Sequence, residues 1–254
     1  MRAYGAFVAK ELMESFRNYR LMILLAVFLI FGMMSPLTAK LLPELLSSMD
    51  LGGAAITLPE PTAMDSWMQF FKNIGQMGLL VLVIIFAGIT ANELSSATLI
   101  NMLTKGMKRS TVLLSKMSVA FLIWTASYAL SFAAAYVYTA YFWDTSNLQH
   151  AAVAFLSPWL FGLLLIQLLV LGGILFKSFV GSLLSAGGAV VVLTLLNLIP
   201  AVQKCNPLML IGDNTVLLTG AQDPSSFLPA LLVCVAMIVA FAIASIVIFN
   251  KKQL

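Results

Sequence analysis

Charge is the scarcest property of this sequence. Only 9% of its 254 residues are charged, whereas 61% are hydrophobic, and the mean hydropathy is +1.01. A soluble domain carries roughly a quarter charged residues, because its surface must be covered with groups that water solvates. The composition therefore excludes an ordinary soluble domain and predicts a chain that is solvated mainly by lipid.

Histidine and cysteine are also nearly absent. His150 is the single histidine, so any metal site or Ser-His-Asp triad would depend on that one residue. Cys205 and Cys234 lie far apart and give no CxxC or metal-ligand spacing, and so imply no disulfide framework. The sequence contains no GxxxxGK[ST], HExxH or GxSxG motif. We therefore expect neither a catalytic nor a metal site. The net charge of +4 is modest and by itself says little about nucleic acid; we expect no nucleic-acid partner.

Long apolar runs are what the sequence has in abundance. A bilayer core of ~30 Å requires about 20 residues of apolar helix. Six segments reach that length without a charge in their central portions: 21–42, 74–91, 117–142, 151–176, 179–199 and 229–249. The predicted fold class is an all-α integral membrane protein with six transmembrane helices, in which residues 1–254 form a single transmembrane domain.

Proline and aromatic residues refine the predicted spans. Pro36 predicts a kink or an early end in the first span, and Pro158 is tolerated in the fourth if it falls in the first turn. Aromatic residues concentrate at two predicted ends, which favours a headgroup belt over simple helix packing. These residues are Trp67, Phe70 and Phe71 before the second span, and Tyr136, Tyr138, Tyr141, Phe142 and Trp143 at the exit of the third.

The distribution of basic residues predicts the orientation. With the N-terminus in the cytoplasm, eleven of the fourteen basic residues and only three of the ten acids fall on the inner side. Positive residues accumulate on the cytoplasmic side of membrane proteins. Six spans then place both termini in the cytoplasm. The inner basic residues are Arg2, Lys10, Arg17, Arg20, Lys105, Lys108, Arg109, Lys116, Lys177, Lys251 and Lys252.

Residues 1–20 carry an amphipathic pattern. Apolar residues recur every four positions, and charged residues occupy another face. This predicts an interfacial helix that lies on the membrane surface, with its basic side chains toward anionic headgroups. An ordinary juxtamembrane anchor is the alternative. The apolar stripe consists of Tyr4, Val8, Leu12 and Phe16, and Phe7 and Tyr19 widen it.

Two loops carry further short apolar pieces. The inner loop 92–116 has two of them around a basic, glycine-containing turn, which predicts a helix-turn-helix on the cytoplasmic face. Such a loop either docks a soluble partner or rests on anionic lipid. The outer segment 200–227 has apolar runs at 208–211 and 215–218, too short to span. We expect them to form short reentrant helices before the last span.

The inner loop also carries a recognisable order of residues. Glu93, Thr98-Leu99, Leu103, Arg109, Leu113-Leu114 and Lys116 resemble the E…GTL…LL…P.SR…LL..K signature of ABC-2 type permeases, the membrane subunits of a class of ABC transporters. The layout of six spans with an amphipathic N-terminal helix is similar too. The chain departs from the pattern at Ala97, where the family often has glycine, and at Lys105-Gly106, where it often has proline.

The resemblance implies a role for this loop as a coupling helix that binds a separate ATP-binding subunit. Two such ATPases and two permease chains, identical or closely related, would form the transporter. ATP and Mg²⁺ would bind to the partner, so this chain would hold no cofactor and would not itself be an enzyme. The implied coupling residues are Glu93, Thr98, Leu99, Leu103, Arg109, Leu113 and Lys116.

Small residues give the fifth span a face that allows close helix contact. In the family that this chain resembles, the fifth span commonly borders the dimer interface, so Gly181, Ser185 and Ala189 are candidates for that contact. Packing within one subunit is the alternative.

The function that the resemblance implies is export of an amphipathic or hydrophobic cargo, peptide-like or antibiotic-like, across a bacterial plasma membrane. Two other functions stay open at this point. One is a membrane immunity or scaffold protein without transport activity, and the other is an intramembrane enzyme.

Overall fold

The computed structural model describes residues 2–48, 60–95, 108–145, 148–212 and 214–252. Over these ranges the chain is helical and forms no β-strand. Six of the described helical segments are long and apolar enough to cross a membrane. The prediction of an all-α, multi-pass membrane protein is confirmed.

The described helices lie in the following order along the chain. The second spanning segment, Ala63–Asn92, combines three helices and a π-helical turn. In chain order the elements are α1 (Arg2–Arg17), α2 (Arg20–Ser48), α3 (Ala63–Asn73), the π-helical turn Ile74–Gly78, α4 (Leu79–Phe86), α5 (Gly88–Ser95), α6 (Arg109–Phe142), α7 (Ala151–Phe176), α8 (Phe179–Leu196), α9 (Pro200–Gln203), α10 (Met209–Gly212), α11 (Asn214–Leu218), the 3₁₀ turn Pro224–Phe227 and α12 (Leu228–Lys251).

Helix α7 is the central helix of the bundle. In its most apolar window 72% of the residues are buried, against 22% for α8 and 11% for the last span. Helices α5, α6, α8 and α12 all pack on α7. The outward faces of α8 and α12 expose large apolar side chains such as Leu184 and Leu232, which are 69% and 68% exposed. Such surfaces are favourable against lipid and unfavourable against water.

Proline does not end the helices where the sequence suggested. Helix α2 continues through Pro36 and Pro43 to Ser48, so the expectation of an early end at Pro36 is wrong. Next to Pro36, the Ser35 hydroxyl donates to Phe31 O (2.7 Å) and accepts from the Asn73 side chain (3.0 Å). These bonds supply local polar contacts where proline removes a backbone donor. Pro158 also lies inside its helix, beyond the first turn of α7.

The second span begins at Ala63 rather than at residue 74, and this changes the role of its aromatic residues. Trp67, Phe70 and Phe71 are buried and surround Phe155 of α7, with ring centroids 4.7, 6.1 and 5.3 Å away. A headgroup belt is therefore wrong for these three residues. Spacings of three and four residues place them on one face of α3, and that face packs into the bundle.

The helix ends meet at two opposite ends of the bundle. At one end, which we call the basic end, the start of α6 contacts the last residues of α12, and Lys252 contacts the last turn of α7. At the other, the opposite end, Ser66 of α3 bonds to Thr139 of α6 (2.7 Å), and Gln149 N donates to Leu218 O (3.1 Å). This alternation is the antiparallel arrangement that successive membrane spans require.

The short helices predicted in segment 200–227 are present. Helices α10 and α11 occupy the two short apolar runs, and Leu210, Leu217 and Leu218 are fully buried. Both helices pack against α7. Their depth in the outer leaflet stays a prediction.

A glycine in the core offers a test of this packing. A Cβ atom added at Gly162 would lie within 3.0 Å of the buried Trp124 ring, whereas one added at Gly187 meets nothing within 4 Å. We expect Gly162→Ala to destabilise the protein by about 1–3 kcal/mol, because the ring has no room to shift. The melting temperature in detergent, followed by circular dichroism, measures the effect.

Gly187→Ala is the matched control for this substitution. It lies on the exposed face of α8, where alanine favours helix by about 1 kcal/mol over glycine, so its melting temperature should be unchanged or higher. Equal melting temperatures for the two variants would contradict the packing of α6 against α7 described above.

Candidate functional site

The basic end brings together the flanks of the predicted coupling loop. Glu93 lies in α5, although its side chain is outside the described part of the structure. Arg109, Leu113 and Lys116 lie in α6. The intervening Thr98, Leu99 and Leu103 fall in 96–107, outside the described residues.

The second half of the predicted helix-turn-helix is not a separate helix. Residues from Arg109 to Lys116 form the first two turns of α6, which runs without interruption to Phe142. Val112, Leu113 and Met117 are buried in the bundle core. No helix breaker separates this apolar face from the span, so the two segments merge. The expected boundary at residue 117 is therefore wrong for the helix.

Arg109 is bound to the end of the last span. Its guanidinium Nη1 donates to Phe249 O (3.2 Å), to Asn250 O (3.4 Å) and to Lys252 O. The final carbonyls of a helix lack intrahelical donors and carry partial negative charge, so a cation there is stabilising. Arg109 thus caps α12 from the first residue of α6.

Lys252 caps the end of the central helix α7 in the same way. Its Nζ donates to Ile174 O and to Leu175 O, the latter at 3.0 Å. Lys177 follows the last residue of α7, adopts a left-handed conformation (φ 50°) and donates its N–H to Gly173 O at 3.1 Å. Partial burial lowers the pKa of Lys252, and the nearby charge of Lys177 lowers it further. The amine is thus partly dehydrated against the carbonyls that it caps.

A buried ion pair attaches α1 to α6. Lys116 Nζ lies 2.8 Å from Glu11 Oε2, and both residues are buried. Lys10 Nζ bridges Glu11 Oε1 at 3.0 Å and Glu14 Oε2 at 2.7 Å on the more exposed side. Tyr4 OH donates to Ser118 Oγ at 2.7 Å and provides a second link between the helices. The N-terminal helix is therefore joined to α6 by polar contacts as well as by apolar packing.

Electrostatics within α1 agree with this arrangement. Partial burial raises the pKa of Glu14, but the hydrogen bond and charge of Lys10, together with the charges of Lys116 and Arg20, lower it below its ordinary value. Glu14 consequently stays ionised to lower pH than a free glutamate.

Sequence reasoning did not identify Glu11. The predicted apolar stripe passes through Tyr4 and Phe16, yet both are exposed, and the buried line of α1 is Phe7, Glu11 and Ser15. The spacing of four from Phe7 to Glu11 was a possible signal. The partner, however, is 105 residues away, so no local pattern could have found it.

The small residues of the fifth span face the central helix of the same chain. Ser185 Oγ donates to Ser182 O (2.7 Å) and Leu168 O (3.2 Å), and Ser182 Oγ donates to Leu169 O at 2.7 Å. Gly181 is buried, and Ala189 is half-buried against the core. These contacts are those of packing within one subunit, and a dimer contact at Gly181, Ser185 and Ala189 stays a prediction.

No family model matches this chain, and no curated protein matches it. Within the described ranges, no three His, Cys, Asp or Glu side chains are grouped so as to hold a metal ion. Polar contacts join the helix ends to one another at the basic end. Such contacts can transmit a displacement from one helix to another.

The buried pair gives a direct test of how α1 is held. We expect Glu11→Gln or Lys116→Met alone to destabilise the protein by up to about 3–5 kcal/mol, because each removes one partner of the buried 2.8 Å pair. The double variant should recover much of that loss. Melting temperatures of the four proteins form the double-mutant cycle.

Glu14→Gln serves as the control, since it removes a more exposed bond to Lys10 that contributes about 0–1 kcal/mol. Additive losses in the double variant would show that Glu11 and Lys116 do not interact energetically.

Proposed function

We propose that this chain is the membrane-spanning permease subunit of an ATP-binding cassette exporter. The observation that carries the proposal is the resemblance of the inner loop to the ABC-2 permease signature. Further support comes from the attachment of both loop flanks to the bundle, by packing of α5 on α7 and by the Arg109 cap at the start of α6. A loop held in this way is suited to receive force from a soluble partner.

In the proposed mechanism, two ATPase subunits bind ATP and Mg²⁺ and dock on residues 92–116 of two permease chains. Glu93 anchors the start of the coupling segment, with Thr98, Leu99 and Leu103 along it. Arg109, Leu113 and Lys116 frame its far side; since Leu113 and Lys116 are buried, they act by holding α6 in place. The ATPases drive transport only if their contacts with the loop differ between the two states.

The proposed cargo is amphipathic or hydrophobic. Polar groups inside the described bundle are sparse, and many are already hydrogen-bonded, either within their own helix or to a neighbouring one. Gln167, for example, is fully buried and donates through Nε2 to Ser245 Oγ at 3.3 Å, whereas its Oε1 has no hydrogen-bond partner among the described residues. Small hydrated ions would require a denser set of polar ligands. A second permease chain against α8 would complete the cargo path.

Docking of an ATPase is tested by co-purification with a candidate subunit. Scrambling residues 96–107 should abolish ATP-dependent export, whereas scrambling residues 51–58, between the first and second spans, should leave ATPase binding and export intact. For Glu93→Ala we expect a loss of export of roughly 5- to 150-fold, the usual range of coupling energies. Export that persists with a scrambled inner loop would overturn the coupling role, and an ATP-independent phenotype would favour a scaffold or immunity protein.

Orientation is tested at Cys205. This residue is exposed at the opposite end of the bundle, while Cys234 is buried. With the basic end in the cytoplasm, a membrane-impermeant maleimide should label Cys205 in intact cells, or in protoplasts if a cell wall blocks the reagent. The label should be lost in Cys205→Ser. Labelling that requires permeabilised membranes would reverse the proposed orientation.

A further inference from the structure

Both flanks of the inner loop connect to the last two turns of the central helix. From the first flank, Thr90 of α5 donates its hydroxyl to Val170 O at 3.3 Å. A Cβ atom added at Gly173 would lie within 3.0 Å of the Thr90 hydroxyl, so the backbone of α7 approaches α5 closely here. The first flank therefore rests directly on the last turns of α7.

The second flank reaches the end of α7 through α12. Arg109 begins α6 and donates to the carbonyls of Phe249 and Asn250 at the end of α12. Lys252, the residue that follows α12, donates to the carbonyls of Ile174 and Leu175. Hydrogen bonds from charged donors are roughly twice as strong as neutral ones, so these caps are the strong links of the chain.

We propose that Arg109 and Lys252 are positioning residues that form a relay from the inner loop to the end of α7. The relay runs from Arg109 to the end of α12, and from Lys252 to residues 174–175 of α7. It rests on the proposed function, because it explains how a displacement of loop 92–116 by an ATPase reaches the most buried helix of the bundle. The direct contact through Thr90 is the second connection, so that both loop flanks act on the last two turns of α7.

The order of the links gives the relay a distinctive signature. Arg109→Gln removes the first cap, so both the end of α12 and the end of α7 should loosen. Lys252→Gln removes only the second cap; the carbonyl of residue 252 still accepts from Arg109, so only the end of α7 should loosen. A merely local stabilising role of either residue would not produce this asymmetry.

Hydrogen–deuterium exchange of the purified chain in detergent tests the relay without any partner. In Arg109→Gln we expect exchange to become about 2- to 30-fold faster at residues 246–252 and at 171–177, as expected for loss of a helix-end charge. In Lys252→Gln we expect that change at 171–177 only. Residues 136–142 at the opposite end should not change in either variant.

Two further variants serve as controls for the exchange experiment. Lys251→Gln removes a neighbouring exposed lysine and should leave exchange at residues 171–177 unchanged. Arg109→Lys keeps the charge but loses the planar fork, and should restore protection only in part. Unchanged exchange at 171–177 in both Arg109→Gln and Lys252→Gln overturns the relay.

The second arm measures cargo exported per ATP hydrolysed in the reconstituted complex. Arg109→Gln and Lys252→Gln should lower this ratio while ATPase binding persists, and Lys251→Gln should not. If amide exchange is faster but the ratio of cargo exported to ATP hydrolysed is unaltered, Arg109 and Lys252 have only a structural role, and their role in coupling is overturned. If no ATPase binds the unaltered protein or any variant, the proposed function fails. The hydrogen–deuterium exchange experiment still decides whether the relay exists.

Discussion

A backbone carbonyl at the end of a helix needs a donor, and lipid cannot supply one. In this protein, with 9% charged residues, two of the few cations are used at such ends. Arg109 caps α12 and Lys252 caps α7, so each charge satisfies a neighbouring helix rather than its own. The end of the bundle is consequently joined across helices, and the segments that continue into the inner loop are part of that joint.

The same scarcity of charge makes the Glu11–Lys116 pair important. A buried ion pair contributes little net stability, but breaking it is costly, so it specifies where α1 lies on α6. Together with the caps, it joins α1, α6, α7 and α12 at the basic end. The outward faces of α8 and α12, in contrast, are almost purely apolar. The ion pair and the two charged helix caps described above thus lie at the end where the proposed ATPase would bind.

The number and approximate position of the spans were predictable because each depends on a local property, about 20 apolar residues in a row. The short helices at 208–218 were predictable for the same reason. Helix boundaries were not: α2 passes through Pro36, α6 begins at Arg109, and the second span begins at Ala63. Each depends on contacts with other helices, which extend a helix beyond its apolar run. Trp67 shows this best, since its place in the core follows from the position of Phe155.

By itself, then, the sequence determined that this chain is a six-span helical membrane protein with its cations gathered on one side, because length, hydropathy and charge are read along the chain. Only the tertiary structure decided what those cations do. Whether Arg109 faces a partner or caps α12, and whether Glu11 faces water or Lys116, depends on residues more than 100 positions away. Pairings at that distance are set by how the helices pack, and no local pattern encodes them.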